Sequence, residues 1–413
     1  MKNLGWLFLF ICSVSFAAGS GGVNAPDQRD KAHLILISID GFRWDYQDLY
    51  NTPTFDRIAS SGIRADAMIP AFPTLTFPNH YSIATGLYPA NHRLIGNKFP
   101  SKDRTRFYNM YDRDAVMDGS WYGGNPIWVA AENEGMVTAA YYFVGTEAPI
   151  NDVPLTYWHA FDASVPGEAR VDKALEWLAM PDESRPHLIT LYFEDVDSTT
   201  HRYGPESVES IESIERVDSY LARLLAGIDD LPIADNVYIL LVSDHGQTAT
   251  KLDERPFIID SVISLEDLTV VDHGSSAFIY LPEPDNQLAA GFRDAINESW
   301  DHGKAMLRSD TPRAWRVSSS AGFADVILQA DPGYTVFSTS SLVAAIPGNH
   351  GWVPEFKDMF GIFLAMGPGL PEGLQLAAID NVDVYPLMMK ILDLPITTPI
   401  DGDPELLPDL LER

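Results

Sequence analysis

The chain has 413 residues, 46% of them hydrophobic and 21% charged, which excludes a disordered or fibrous protein and leaves room for a sizeable core. Its 58 acidic residues against 28 Lys and Arg give a formal charge of −30. That balance excludes stable nucleic-acid binding, because phosphate backbones are gripped by Lys and Arg. An anionic small-molecule substrate would need a local source of positive charge, and bound cations are the natural device.

At the N-terminus, "MKNLGWLFLFICSVSFAAGSGG" sets Lys2 before an apolar run from Trp6 to Phe16 and small residues at Ala17, Ala18 and Gly19. This layout predicts a cleaved export signal over 1–19, followed by a leader over 20–32. The run is shorter than the roughly 20 apolar residues of a membrane-spanning helix, so no membrane span is expected. The only cysteine, Cys12, falls inside that run. A cysteine-free mature chain with an export signal reads as periplasmic or secreted.

Four apolar runs follow in chain order: "HLILISID" (33–40), "HLITLYFEDVD" (187–197), "NVYILLVSDHG" (236–246) and "MFGIFLAMG" (359–367). They are rich in Ile, Leu and Val without alternation, as expected of strands buried on both faces of a parallel sheet. Amphipathic helices are predicted in "PIWVAAENEG", "EARVDKALEWLAM", "SVESIESIERVDSYLARLLAGID" and "NVDVYPLMMKILD". In the third, Val208, Ile211, Ile214, Val217, Leu221, Leu224 and Ile228 form one stripe. Strands alternating with such helices predict an α/β fold with a doubly wound, mostly parallel central sheet. The rhythm breaks over 251–345, read as a smaller inserted α+β lobe, so the catalytic domain would comprise 33–250 and 346–413.

In a doubly wound sheet, ligands bind beyond the carboxyl ends of the strands. There the sequence places Asp40, then Asp197 and His201 in "DVDSTTH", and Asp244 and His245 in "SDHG", with His350 in "PGNHGW". A sulfur-free mixture of carboxylates and imidazoles suits zinc, and six ligands divide into two sites. Two metals in proximity are an arrangement for displacement at phosphorus. In "AFPTLTFPNHYSIATGLYP", prolines stiffen the turn around Thr76 ahead of a predicted helix. A threonine hydroxyl needs a metal to activate it and a backbone to aim it, so Thr76 reads as the nucleophile.

The motifs "SIDGFRWDY", "PTLTFPNHYSIATGLYPANH", "IGN", "DVDSTTHRYGP", "VSDHG" and "GNHGW" come in the order of the nucleotide pyrophosphatase/phosphodiesterase family, and the chain resembles that branch of the alkaline phosphatase superfamily from about 33 to 395. The resemblance implies two zinc ions, one held by Asp40, Asp244 and His245 with Thr76 bridging to it, the other by Asp197, His201 and His350. It implies that Asn97 holds a phosphoryl oxygen together with the Thr76 backbone, that Phe77 packs on the substrate, and that Tyr157 forms the opposing face of the slot. It also implies an alkaline-phosphatase-like fold and a phosphodiester or nucleotide substrate. Glycerophosphocholine-type diesters, phosphonates and monoesters remain alternatives. "EDVDSTTH" departs from the family's usual turn, and the basic run "NKFPSKDRTRFYNMYD" is longer than the usual link after the asparagine. The sequence does not fix the oligomeric state.

Overall fold

The computed structural model describes residues 22–344 and 346–412. The predicted export signal, Cys12 included, lies outside the described residues. The central sheet is built from His33–Ile39 (β1), Ile63–Ala65 (β2), Thr138–Tyr141 (β3), Tyr157–His159 (β4), Leu188–Phe193 (β5), Val237–Val242 (β6), Phe363–Met366 (β7) and Leu374–Leu376 (β8). Their spatial order is β8-β2-β7-β6-β1-β5-β3-β4. From β6 to β4 all neighbours run parallel. β7 departs from the parallel expectation: it runs antiparallel to both β6 and β2. An unbroken apolar run signals burial on two faces and carries no information about direction.

Alternation along each strand divides the core between the two faces. Leu34, Leu36, Leu188, Leu240 and Val242 join a cluster with Tyr81, Ile83 and Trp128 on one side. Ile35, Ile37, Ile39, Ile189, Leu191 and Leu241 join Val171, Val217, Leu221 and Leu224 on the other. The helices that cover these faces include Thr76–Thr85 (α1), Gly167–Leu178 (α2), Asp195–Tyr203 (α3) and Val208–Asp229 (α4). The apolar stripe of α4 is buried from Ile214 onward, whereas Val208, its first residue, is exposed.

A second, antiparallel sheet lies within the segment that breaks the rhythm, in the order Thr269–Asp272, Ser276–Tyr280, Val326–Ala330, Gly303–Leu307. One face packs on the helix Asn286–Ser299 through Ala277, Ile279, Leu328, Ala289 and Ile296. The other contributes Val271, Phe278, Tyr280 and Ile327 to the first cluster of the main core. The chain therefore has an α/β, doubly wound architecture. Its β1, β5 and β6 all release their carboxyl ends on one edge, where Asp40, α3 and Asp244 follow.

Candidate metal-dependent active site

Thr76 is the first residue of α1 and is buried, with Leu75 extended before it (φ −119°, ψ 154°). The turn leading to it is held by Asn79, whose Oδ1 accepts from Ala71 N at 2.7 Å and whose Nδ2 donates to Pro73 O and Leu75 O, both at 2.9 Å. Thr74 Oγ1 donates to Trp352 O at 2.6 Å, tying the turn to the segment that carries His350. The Thr76 hydroxyl comes out 3.3 Å from His245 Nε2. Phe77 N donates to Asn97 Oδ1 at 2.9 Å, which commits that oxygen and leaves the Asn97 amide nitrogen as a donor.

The six metal-type residues converge in two groups, Asp40 with Asp244 and His245, and Asp197 with His201 and His350; within each, one ligand atom per residue lies within 4.8 Å of the others. Asp197 and His201 stand one turn apart on α3, with His201 Nε2 3.4 Å and His350 Nε2 3.9 Å from Asp197 Oδ1. His245 Nε2 lies 2.9 Å from Asp244 Oδ2 and 3.5 Å from Asp40 Oδ1. The His245 and His350 rings stack at 3.6 Å and join the groups.

Each of the three imidazoles has Nδ1 against a backbone carbonyl: His201 on Gly348 O at 2.8 Å, His245 on Gly246 O at 3.1 Å, His350 on Thr74 O at 2.8 Å. A carbonyl only accepts, so Nδ1 carries the proton and Nε2 offers its lone pair to the centre, the pattern of metal-ligating histidines. Asp40 Oδ1 and Asp244 Oδ2 are buried without a hydrogen-bond donor among the described residues. Two orphaned carboxylate oxygens facing the His245 lone pair fit a divalent cation at that group, and at the other the Nε2 atoms of His201 and His350 both face the Asp197 carboxylate.

Burial, then the Asp244 and Asp197 carboxylates, push Asp40 well above the usual carboxylate range. Burial would lift Asp244 too, but His245 and His80 beside it hold its carboxyl well below that range, and the same attraction lifts His245 against the effect of burial. Burial, then His245 and His201, keep His350 neutral by holding it well below the ordinary imidazole value.

Sequence reasoning missed the residues that brace these ligands. Tyr192 on β5 donates to Asp40 Oδ2 at 2.5 Å. Gln247, fully buried, donates its amide to Asp197 Oδ1, while its Oε1 finds no partner among the described residues. Room for that amide exists because residue 41 is glycine (φ +69°): a Cβ there would come within 2.5 Å of Gln247 Nε2 and 3.1 Å of Asp197. His80 Nδ1 sits 2.9 Å from Thr76 O and 3.3 Å from Asp244 Oδ2, and its Nε2 2.8 Å from Ser38 Oγ. Gln247 follows "SDHG" directly and Asn79 and His80 lie inside "TFPNHY", so proximity to a motif was the available signal.

Phe77 is half-buried, edge-on to Tyr108 at 6.1 Å. Tyr157 is not brought to it. Tyr157 opens the edge strand β4, pairs with Ala139, stacks on Trp177 at 6.5 Å and packs against the second core cluster, whereas Phe77 packs against the first. Phe161, 44% exposed, lies edge-on at 6.1 Å to the Tyr192 ring, whose hydroxyl holds Asp40.

A family model described as type I phosphodiesterase / nucleotide pyrophosphatase matches residues 34–353. A venom phosphodiesterase of Crotalus durissus collilineatus is 31% identical over 404 residues, covering 96% of this chain and 48% of that protein. Ectonucleotide pyrophosphatase/phosphodiesterase family member 1 of Homo sapiens is 30% identical over 369 residues, 87% of this chain and 40% of that one. The chain thus spans about half the length of the curated relatives it matches. Among solved structures, murine ectonucleotide pyrophosphatase/phosphodiesterase 5 superposes with a TM-score of 0.84 at 28% identity, over 92% of this chain and 99% of that chain. An inactive threonine-to-alanine form of the murine protein, in complex with AMP, gives 0.85 at 28% identity over 92% and 100%. With the family model spanning most of its length, the chain belongs to the type I phosphodiesterase / nucleotide pyrophosphatase family.

Proposed function

We propose that the protein is an exported, zinc-dependent phosphodiesterase that cleaves nucleotide phosphodiester or phosphoanhydride bonds, releasing nucleoside monophosphates through a phosphoryl-threonine at Thr76. The observation that carries this reading is the position of Thr76 Oγ1 at the start of α1, 3.3 Å from His245 Nε2 of one ligand group. The AMP complex of the inactive murine relative supports a nucleotide substrate.

Asp40, Asp244 and His245 would hold one zinc ion and Asp197, His201 and His350 the other. Bound there, such cations neutralise phosphoryl oxygens and make a hydroxyl or a water acidic enough to react near neutral pH. Thr76 Oγ1 releases its proton to solvent and attacks phosphorus in line; the Thr–O–P bond forms as the leaving-group P–O bond breaks and the leaving oxygen takes its electron pair. Water then attacks the same phosphorus from the vacated side, and the threonine oxygen departs with its electron pair and takes the proton that the water gives up. Donors for the phosphoryl oxygens are the Asn97 amide and the Thr76 N–H, since Pro78 has no N–H and that of Phe77 is committed. Phe77 and Phe161 supply the aromatic walls for the base.

The division into a catalytic domain of 33–250 with 346–413 and an inserted lobe of 251–345 forms part of this proposal, as does export through 1–19. Among the described residues no helix is long and apolar enough to cross a membrane. The test is product analysis of ATP incubated with zinc-loaded protein, beside Thr76→Ala. AMP and pyrophosphate, lost in the variant, are expected. ADP and phosphate would overturn the diesterase assignment, and turnover of glycerophosphocholine but not ATP would overturn the nucleotide assignment.

A further inference from the structure

Six of the 28 Lys and Arg fall within 93–113, beside only two of the 58 acidic residues. The hairpin of Lys98–Pro100 and Phe107–Asn109 organises this basic island immediately after Asn97. Three of its arginines meet carboxylates: Arg104 with Asp325, Arg106 with Asp118, Arg113 with Glu147. Arg93 and Lys102 are exposed and have no carboxylate partner among the described residues.

Both border a groove of about 700 Å³, within the range of small-molecule sites, whose lining also takes in Ser320 and Gly322 of the 251–345 segment. Its apolar lining includes Ile95, Phe99 and Trp121. The guanidinium of Arg106 lies 4.6 Å over the Trp121 ring. One acid, Asp103, also lines the groove, and its carboxylate already accepts from Ser101 Oγ at 2.6 Å and Thr105 Oγ1 at 2.8 Å. The groove is separate from the catalytic centre. Phe99 and Tyr108, both buried, stand between Trp121 and Phe77, with ring centroids 5.5 Å apart for Trp121 and Phe99, 5.0 Å for Phe99 and Tyr108, and 6.1 Å for Tyr108 and Phe77.

We propose that this groove is a second ligand site, for an organic phosphate bearing a flat ring and of nucleoside monophosphate size. Arg93 and Lys102 take the phosphate, since neither is ion-paired to a carboxylate among the described residues. The ring lies on the apolar floor beside the Arg106–Trp121 pair. In a molecule of charge −30 the basic groove is a place where an anion is attracted rather than repelled, next to the hairpin that follows Asn97. None of the residues that bind it belongs to the machinery proposed for hydrolysis.

The test irradiates the zinc-loaded full chain with 8-azidoadenosine 5′-monophosphate and maps the labelled peptides. Label is expected on peptides carrying Trp121 or the 99–106 hairpin, falling about tenfold or more in the double variant Arg93→Ala with Lys102→Ala and persisting in Thr76→Ala. Label confined to peptides carrying Phe77 or Phe161 overturns the site, as does label near Trp121 that the double variant leaves unchanged. Bis(4-nitrophenyl) phosphate hydrolysis at the wild-type rate is expected of the double variant and shows that its fold is intact. A wild-type protein that hydrolyses no diester would refute the proposed activity and leave the labelling result standing.

Discussion

Gln247→Leu isolates the bracing of one metal group from the other. Gln247 is three residues beyond Asp244, yet its amide donates to Asp197 Oδ1, the oxygen that both His201 and His350 face. Leucine roughly keeps the volume of this fully buried side chain and removes the donor together with the unpartnered Oε1. Losing the partner of a ligating carboxylate typically costs 10–100-fold in metal affinity, about 1.4–2.7 kcal/mol, consistent with the worth of a hydrogen bond to a charged group. The assay is zinc affinity and stoichiometry by competition with a chelator of known strength. One zinc per chain should weaken by about 10–100-fold while the other, on Asp40, Asp244 and His245, stays within about threefold. The metal-free protein should unfold at nearly the same denaturant concentration as wild type, because leucine also removes the unpartnered Oε1. Equal weakening of both ions, or of neither, refutes the argument.

Asn97→Ala should lower kcat by about 10²–10³-fold with little change in zinc content, the effect of removing one donor to a developing oxyanion; an unchanged kcat removes Asn97 from the chemistry. Asn79→Ala leaves Ala71 N without its acceptor in a buried turn and should cost roughly 3 kcal/mol in urea unfolding, whereas a loss below about 1 kcal/mol would mean that the turn is held elsewhere. His33 is buried against His187 at 4.7 Å, and burial, then that neighbour, lower its pKa to about 4. Between the unfolded value of 6.5 and 4 the unfolded chain binds the extra proton, so this contribution is full above 6.5 and lost as pH falls through 4, by about 3 kcal/mol at most. His33→Leu should flatten stability across that window, and an unchanged slope would refute the assignment. Two in-line displacements through Thr76 retain configuration at phosphorus, so inversion with a chiral phosphorothioate diester would eliminate the threonine intermediate.

Much of the fold was legible because burial on both faces leaves a strong trace. Leu34, Ile35, Leu36 and Ile37 feed two cores at once, so the strand needs an apolar residue at every position. Direction leaves no such trace, and for that reason the antiparallel β7 could not be distinguished from its parallel neighbours. The convergence of the candidate ligands was legible through a topological rule: Asp40, Asp197 and Asp244 follow three strands whose carboxyl ends meet on one edge. Gln247, Tyr192 and His80 carry no comparable mark. An amide or a phenol acquires a role only when folding puts a carboxylate within hydrogen-bonding distance, and each of these pairs is separated by 50 residues or more in the chain.

The same rule decides between the two aromatic residues of the 157–161 segment. β4 runs parallel to β3 and β5, so its first residue, Tyr157, sits at the amino end of the sheet, opposite the edge where the metal ligands gather. Its ring faces Trp177 of α2, with the centroids 6.5 Å apart. Phe161 lies two residues past the end of β4, on the carboxyl side, and keeps its exposure while touching Tyr192. An aromatic wall for a substrate at Thr76 has to come from that side. Phe161→Ala should therefore raise KM for a nucleotide by about 5–100-fold, the worth of one stacked base, with kcat much less affected, and Tyr157→Ala should change neither. The reverse pattern would place the substrate at the amino end of the sheet and contradict the catalytic assignment of Thr76 itself.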